Sequence, residues 1–226
     1  MSTFIGSLNP WILHAKGFVD HPSVFVNIKN GYKCHIGRDK WSYVMIKNLR
    51  FSLFIGPNTH QFLSSKRGPM HAIVNIHIRE RAVDAERIYF GITDRNASRN
   101  DVPGRNMVGF GWHGSGGLIT SFWNIKGKLP NFAWSKDICV CLQIDPENKK
   151  ICGMRKNRVG GWCEVKEIDD VTFPEEYYFA LGAYLCSSNE EFDVELITGG
   201  CGWLSKETFG QTVENYYLES TSEIAV

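Results

Sequence analysis

The stretch VGFGWHGSGG, residues 108–117, decides the fold, because it carries a literal G-x-G-x-x-G at Gly109, Gly111 and Gly114. In a dinucleotide-binding protein such glycines turn a strand tightly into a helix whose N-terminus faces the pyrophosphate, within a chain that alternates strands and helices. Here the next residues are Leu118-Ile119-Thr120-Ser121-Phe122-Trp123. A β-branched and aromatic succession continues as strand and opens no helix. The Lys-Ser/Thr pair of a phosphate-cradling loop is missing as well. The glycines therefore read as bulge and close-packing positions in a sheet, and nucleotide binding is set aside.

Outward from that stretch the apolar residues repeat every second position. In HAIVNIHIR (71–79), Ala72, Val74, Ile76 and Ile78 face away from His71, Asn75, His77 and Arg79. In ICVCLQID (138–145), Ile138, Val140, Leu142 and Ile144 alternate with Cys139, Cys141, Gln143 and Asp145. Tyr177, Phe179, Leu181, Ala183 and Leu185 line up in YYFALGAYL, and Phe192, Val194 and Leu196 oppose Glu191, Asp193 and Glu195 in EFDVELI. Turn signals such as KNGY, IGPN, SRNDVPG, DPENK, NRVGG and VTFPEE punctuate these runs. Long amphipathic helical windows are absent from this reading. The expected fold is all-β, two antiparallel sheets stacked as a sandwich. Residues 1–203 are expected to form a single unit, with extra N-terminal strands at 20–60. Residues 204–226 read as a polar, loosely held tail with at most short helical turns.

Lys and Arg number 25 against 24 Asp and Glu, a net charge of +1. That balance asks for neither nucleic acid nor an anionic membrane surface. The densest basic run, KKICGMRKNR (149–158), reads as a polar hairpin tip. No apolar run is long enough to span a membrane, and no basic-then-apolar leader stands at the N-terminus, so a cytoplasmic location is expected. The 7 cysteines are scattered without a C-x-x-C pair, which argues against a zinc knuckle and a disulfide framework. No cofactor and no metal are expected. His71 and His77 are too far apart along one strand to pair and lack a third ligand, and Asn96-Ala97-Ser98 reads as a loop rather than a used glycosylation site.

The motifs also stand in a telling order. Gly91-Ile92 is followed by Gly111-Trp112-His113, then by Lys136-Asp137-Ile138-Cys139-Val140-Cys141-Leu142-Gln143-Ile144-Asp145. Lys156-Asn157 with Gly160 come next, and Phe173-Pro174 with Phe179-Ala180-Leu181-Gly182 close the series. This series resembles the SPRY domain, the core of the B30.2 module, over roughly residues 70–200. Arg158 stands where the family's hairpin has glycine, and Gln143-Ile144-Asp145 where Leu-Asp is usual. The resemblance implies a concanavalin-like jelly-roll sandwich without catalytic activity, an adaptor that docks a protein or peptide partner on loops at one end. It leaves the oligomeric state open. Aromatic and arginine side chains dominate such interfaces, and loops on a rigid scaffold carry them. Matching positions to the family's loops gives Arg95, Asn96, Arg105, His113, Trp134, Arg158 and Trp162 as the candidate partner-binding residues. Trp112 and Trp123 are expected in the core.

A rival reading comes from Glu191-Phe192-Asp193-Val194-Glu195, which resembles the E-x-D-x-E strand of laminarinase-type glycoside hydrolases. In that reading Glu191 is the nucleophile, Asp193 the orienting carboxylate and Glu195 the general acid. Residues four apart on a strand lie about 13 Å apart at Cα, whereas retaining chemistry needs carboxyl groups about 5–5.5 Å apart. An acidic outer face on a strand with an apolar inner face accounts for the pattern without chemistry. Carbohydrate binding without catalysis, as in lectins, fits the same architecture.

Overall fold

The computed structural model describes the backbone of residues 11–16, 24–29, 33–38, 49–57, 63–64, 68–78, 88–94, 110–113, 118–120, 125–126, 137–157, 163–185 and 191–222. The alternating runs become two antiparallel sheets. The first is ordered β1 (Trp11–Lys16), β4 (Leu49–Pro57), β14 (Glu176–Leu185), β7 (Ile88–Asp94), β8 (Phe110–His113), β9 (Leu118–Thr120) and β10 (Ile125–Lys126), with β5 (Leu63–Ser64) beside β14. The second is ordered β13 (Cys163–Ile168), β12 (Lys150–Asn157), β11 (Asp137–Asp145), β6 (Met70–Ile78), β15 (Phe192–Cys201), β3 (Lys33–Arg38) and β2 (Val24–Lys29).

The glycine stretch falls on this plan as a strand pair. Gly111 in β8 lies opposite Ile119 in β9, and Trp112 opposite Leu118, so strand follows strand as the residues require. The first sheet also begins earlier than expected: β1 starts at Trp11, ahead of the 20–60 range.

The inward rows of both sheets meet in one core. Leu13, Ile55, Phe90, Ile92, Tyr177, Phe179 and Leu181 come from the first sheet, and Ala72, Val74, Ile76, Val140, Leu142, Ile144, Val194 and Leu196 from the second. Those on β6, β11, β14 and β15 are the inward positions that the period-two reading assigns. Each Val, Leu, Ile or Phe among them contributes about 1.5–3 kcal/mol when fully buried. Trp11 packs its ring 5.6 Å from that of Phe179 and fills the space where Gly199 has no Cβ, so a side chain there would overlap the indole. The register of β15 against β6 shifts between Leu196 and Thr198, a bulge that turns Ile197 to the outside.

The last stretch departs from the expectation of a loose polar tail. Lys206–Ser222 is an α-helix, α1, lying on the outer face of the second sheet. Phe209 and Val213 are fully buried there against Ile73, Cys139, Cys141, Cys152 and Met154. The signal was in the sequence: Phe209, Val213, Tyr216 and Tyr217 fall at i, i+4, i+7 and i+8, one helical stripe amid polar residues. Ser205 starts the helix, its Oγ accepting the N–H of Thr208 at 3.1 Å. Before it, Gly202 takes φ 105°, a conformation that costs glycine nothing and lets the chain leave β15 toward the helix.

The cover over the sheet explains β11. Residues 138–145 are buried at every position, so the row Cys139, Cys141, Gln143 faces the helix side rather than water. Phe209→Ala is expected to cost about 3–5 kcal/mol, the usual penalty for emptying a buried phenyl site. Leu218→Ala, at a side chain 69% exposed, should stay within about 0.5 kcal/mol. Urea denaturation followed by circular dichroism separates the two.

Candidate functional site

Of the residues named from sequence, Arg95, Asn96, Arg105, Trp134, Arg158 and Trp162 lie outside the described residues, and His113 is described in its backbone alone. The described strands fix the ends from which their segments depart. β7 ends at Asp94, opposite Tyr177, and the segment holding Arg95, Asn96 and Arg105 leaves there. His113 lies opposite Tyr89, at the other end of that sheet. In the second sheet, the segment holding Arg158 and Trp162 joins Asn157 to Cys163, and the one holding Trp134 enters β11 at Asp137. The far end of that sheet carries the Asp145–Lys150 hairpin. There Val171 N–H donates to Lys149 O at 2.9 Å, and Phe173 meets Tyr177 at 6.0 Å between rings. Asp94 therefore belongs to the hairpin end, and the strand ends flanking His113, Trp134, Arg158 and Trp162 to the opposite one.

The side chains best defined for chemistry stand on the outer face of the second sheet. One row across β3, β15, β6, β11 and β12 is Lys33, Glu195, Asn75, Cys139 and Lys156. Lys33 Nζ lies 3.2 Å from Glu195 Oε1, and Tyr216 of α1 donates its hydroxyl to Glu195 Oε2 at 2.8 Å. The Tyr217 hydroxyl donates to Asn75 Oδ1 at 3.3 Å, and the Cys139 thiol lies 3.3 Å from that hydroxyl. Lys156, nearly buried, pairs across to Glu214 of α1. Further along, Gln143 accepts from Leu204 N–H at 2.8 Å and donates to Leu204 O at 3.1 Å. His71 Nδ1 lies 3.0 Å from Gly202 O. Gln143 and His71 thus clamp the approach to α1 as Glu195, Asn75 and Lys156 clamp its body. Sequence reading missed this set, because its partners are 21 to 162 residues apart.

Burial sets the protonation of this layer. It pushes the Cys139 thiol from its ordinary 9.0 up to about 12, against the opposing hydrogen bond to Tyr217. Burial also raises Tyr216 and Tyr217 above their ordinary 10.0, aided for Tyr216 by its bond to Glu195 and for Tyr217 by Cys139. A thiol held protonated in this way is a packing group, not a nucleophile.

The carboxylates of the hydrolase reading follow one another on β15 and the residue that precedes it. Asp193 and Glu195 stand on the outer face while Phe192, Val194 and Leu196 point into the core. A cleft of about 560 Å³ runs between β15 and α1, walled by Glu195, Tyr216, Glu219, His71, Thr198 and Asn215 among others. Glu191 and Asp193 are not on its described wall. Both oxygens of Glu195, the general acid of that reading, are engaged by Lys33 and Tyr216. Among the described residues, no three His, Cys, Asp or Glu side chains are gathered as a metal would need.

No family model matches the chain, and no curated protein matches it. Solved structures do. Peanut lectin aligns over 82% of this chain and 94% of its own with a TM-score of 0.51 at 11% identity. Arcelin-5, a lectin-like defense protein from Phaseolus vulgaris, aligns over 84% and 91% with a TM-score of 0.51 at 11% identity. The SPRY domain of human HERC1 aligns over 80% and 94%, with a TM-score of 0.49 at 15% identity. At such identities the likeness is one of fold. The chain is a two-sheet antiparallel sandwich of the concanavalin-like jelly-roll kind, similar in fold to those lectins.

The raised groups fix the sign of the alkaline response. A fold that raises these values prefers the protonated forms, so their contribution is whole below pH 9.0 and is lost as pH climbs through the raised values. Guanidinium midpoints should hold steady to that point and fall above it. Tyr217→Phe combined with Cys139→Ser should flatten the fall; an unchanged slope would place the titration elsewhere.

Proposed function

We propose that this chain is a non-catalytic protein-interaction module of the SPRY kind, an adaptor domain acting in the cytoplasm. Its peptide or partner domain docks at the end of the sandwich where β12 leads into β13. The observation that carries this reading is where the SPRY-like motifs fall. Gly91 of the first motif lies opposite Gly111 of the second, and Ala180 of the closing motif lies opposite Gly91. The third motif is β11 and the fourth closes β12 beside it, with Cys139 opposite Lys156. The closing motif on β14 thus lies beside the first motif on β7 although the two are far apart in the chain, which supports the reading. The reduced thiols Cys139, Cys141 and Cys152, packed as small apolar groups, suit a reducing compartment.

Of the seven candidate residues, His113, Trp134, Arg158 and Trp162 are favoured, because the described strand ends that flank them lie at that end. Arg95, Asn96 and Arg105 belong to the other. A displayed peptide library selected on the whole chain should yield an enriched peptide family. Trp162→Ala with Arg158→Ala should weaken the winning peptide by about thirtyfold or more, as loss of an anchoring residue does. Arg95→Ala with Arg105→Ala should leave it nearly unchanged. Equal loss in both pairs would overturn the choice of end. Saturable binding to a glycan array with no peptide selected would overturn the module reading in favour of a lectin.

A further inference from the structure

The cleft of about 560 Å³ between β15 and α1 carries charge of one sign. Glu195 and Glu219 stand on its wall, and among the described residues of that wall there is no lysine or arginine. Three polar groups beside them have spent their protons elsewhere. Thr212 donates its hydroxyl to Thr208 O at 2.8 Å, and Tyr216 donates its own to Glu195 Oε2 at 2.8 Å. His71 is 8% exposed, and its Nδ1 lies 3.0 Å from Gly202 O, which can only accept. That bond places the proton on Nδ1 and leaves Nε2 of the neutral ring as an acceptor. The structure gives Nε2 no protein donor among the described residues. The Cε1–Nε2 edge faces β15: a Cβ at Gly200, opposite His71 in the ladder, would lie 3.6 Å from Cε1 and 3.8 Å from Nε2. Glycine at that position leaves the edge uncovered.

We propose that this cleft binds a guanidinium group. A guanidinium carries five N–H donors, no acceptor and a permanent positive charge, the complement of a wall that offers carboxylates and lone pairs. Lys33 and Tyr216 each engage one oxygen of Glu195. A carboxylate has about four lone-pair sites, so a further donor can be accepted. The Thr212 and Tyr216 oxygens keep lone pairs after donating, and Nε2 of His71 adds a nitrogen acceptor. Lys33 offsets part of the Glu195 charge, and Glu219 keeps the wall negative. An anion would be repelled there, and a sugar has no charge to answer the carboxylates. Ile197, turned outward by the bulge in β15, and Leu204 give apolar contact to a methylene stem. The volume is that of an ordinary small-ligand site. The group can arrive on a free small molecule or on the arginine side chain of a peptide, and the chemistry recognised is the same. The site lies on the outer face of the second sheet, apart from the docking end proposed above, so neither proposal fails with the other.

The test titrates the full chain at about pH 8, where an ordinary imidazole is neutral. The probes are n-propylguanidinium, its neutral isostere n-propylurea, n-butylammonium and a blocked Gly-Arg-Gly peptide. Propylguanidinium or the peptide should saturate one site by calorimetry, with amide shifts centred on Thr198, Thr212 and Glu219, and the tighter of the two identifies the source. Propylurea should bind at least about tenfold more weakly and butylammonium at least about threefold, since charge-assisted forked hydrogen bonds are the strong ones. Glu219→Gln should weaken binding about two- to fivefold. Gly200→Ala adds a methyl at ordinary contact distance from His71, so the fold is kept while the imidazole edge is covered. It should weaken binding at least about tenfold, as loss of a hydrogen bond to a charged group does. Arg158→Ala with Trp162→Ala should leave the affinity unchanged. No saturation by either guanidinium probe, equal affinity for propylurea, full affinity in both cleft variants, or shifts confined to the ends of β12 and β13 would each overturn the proposal.

Discussion

β11 has to be covered on both faces. Its inward row, Ile138, Val140, Leu142 and Ile144, is sealed by the first sheet, and its outward row, Cys139, Cys141 and Gln143, by α1 and the Leu204 approach to it. Uncovered, the outward positions and their neighbours Ile73, Cys152 and Met154 would be a contiguous apolar patch of the sort that soluble domains avoid. The helix needs the sheet as much. It carries Gly210 in its interior, no basic residue in its last turn, and Glu219 near its negative end. An interior glycine alone costs about 1 kcal/mol relative to alanine, so α1 draws its stability from docking rather than propensity.

Apolar contact holds the helix down, and polar contact fixes its place. Phe209 and Val213 would tolerate a slide along the sheet; Tyr216 on Glu195, Tyr217 on Asn75 and Gln143 on Leu204 would not. Each buried partner left unmatched by such a slide would cost about 1–3 kcal/mol. The second sheet is thereby stiffened across its width, from Lys33 on β3 to Lys156 on β12.

The sheets were legible because period two is a local pattern. Ala72, Val74 and Ile76, or Phe192, Val194 and Leu196, declare their face within a few residues, and the glycine stretch declares a strand pair through the β-branched and aromatic run from Leu118 to Trp123. Cys139 and Cys141 were the first hint of a covered outer face, since an exposed row would carry charge. The helix was obscured because only four of its residues are apolar on the stripe and the rest match the composition of a tail. The layer joining Glu195 to Tyr216 and Asn75 to Tyr217 was invisible for a plainer reason: no local pattern reports which distant strands become neighbours. The division of the loop candidates between two ends was hidden by the same gap, since Arg95 and Trp162 look alike until the register of β7 and β12 is known.

Native-state hydrogen exchange compares the helix with the strand it covers. A helix integral to the fold predicts that the amides from Phe209 to Tyr217 exchange only through global unfolding, with the same free energy and denaturant dependence as those of β11. Rapid exchange of that segment, at rates of an unstructured chain while β11 stays protected, would contradict the joint dependence of sheet and helix.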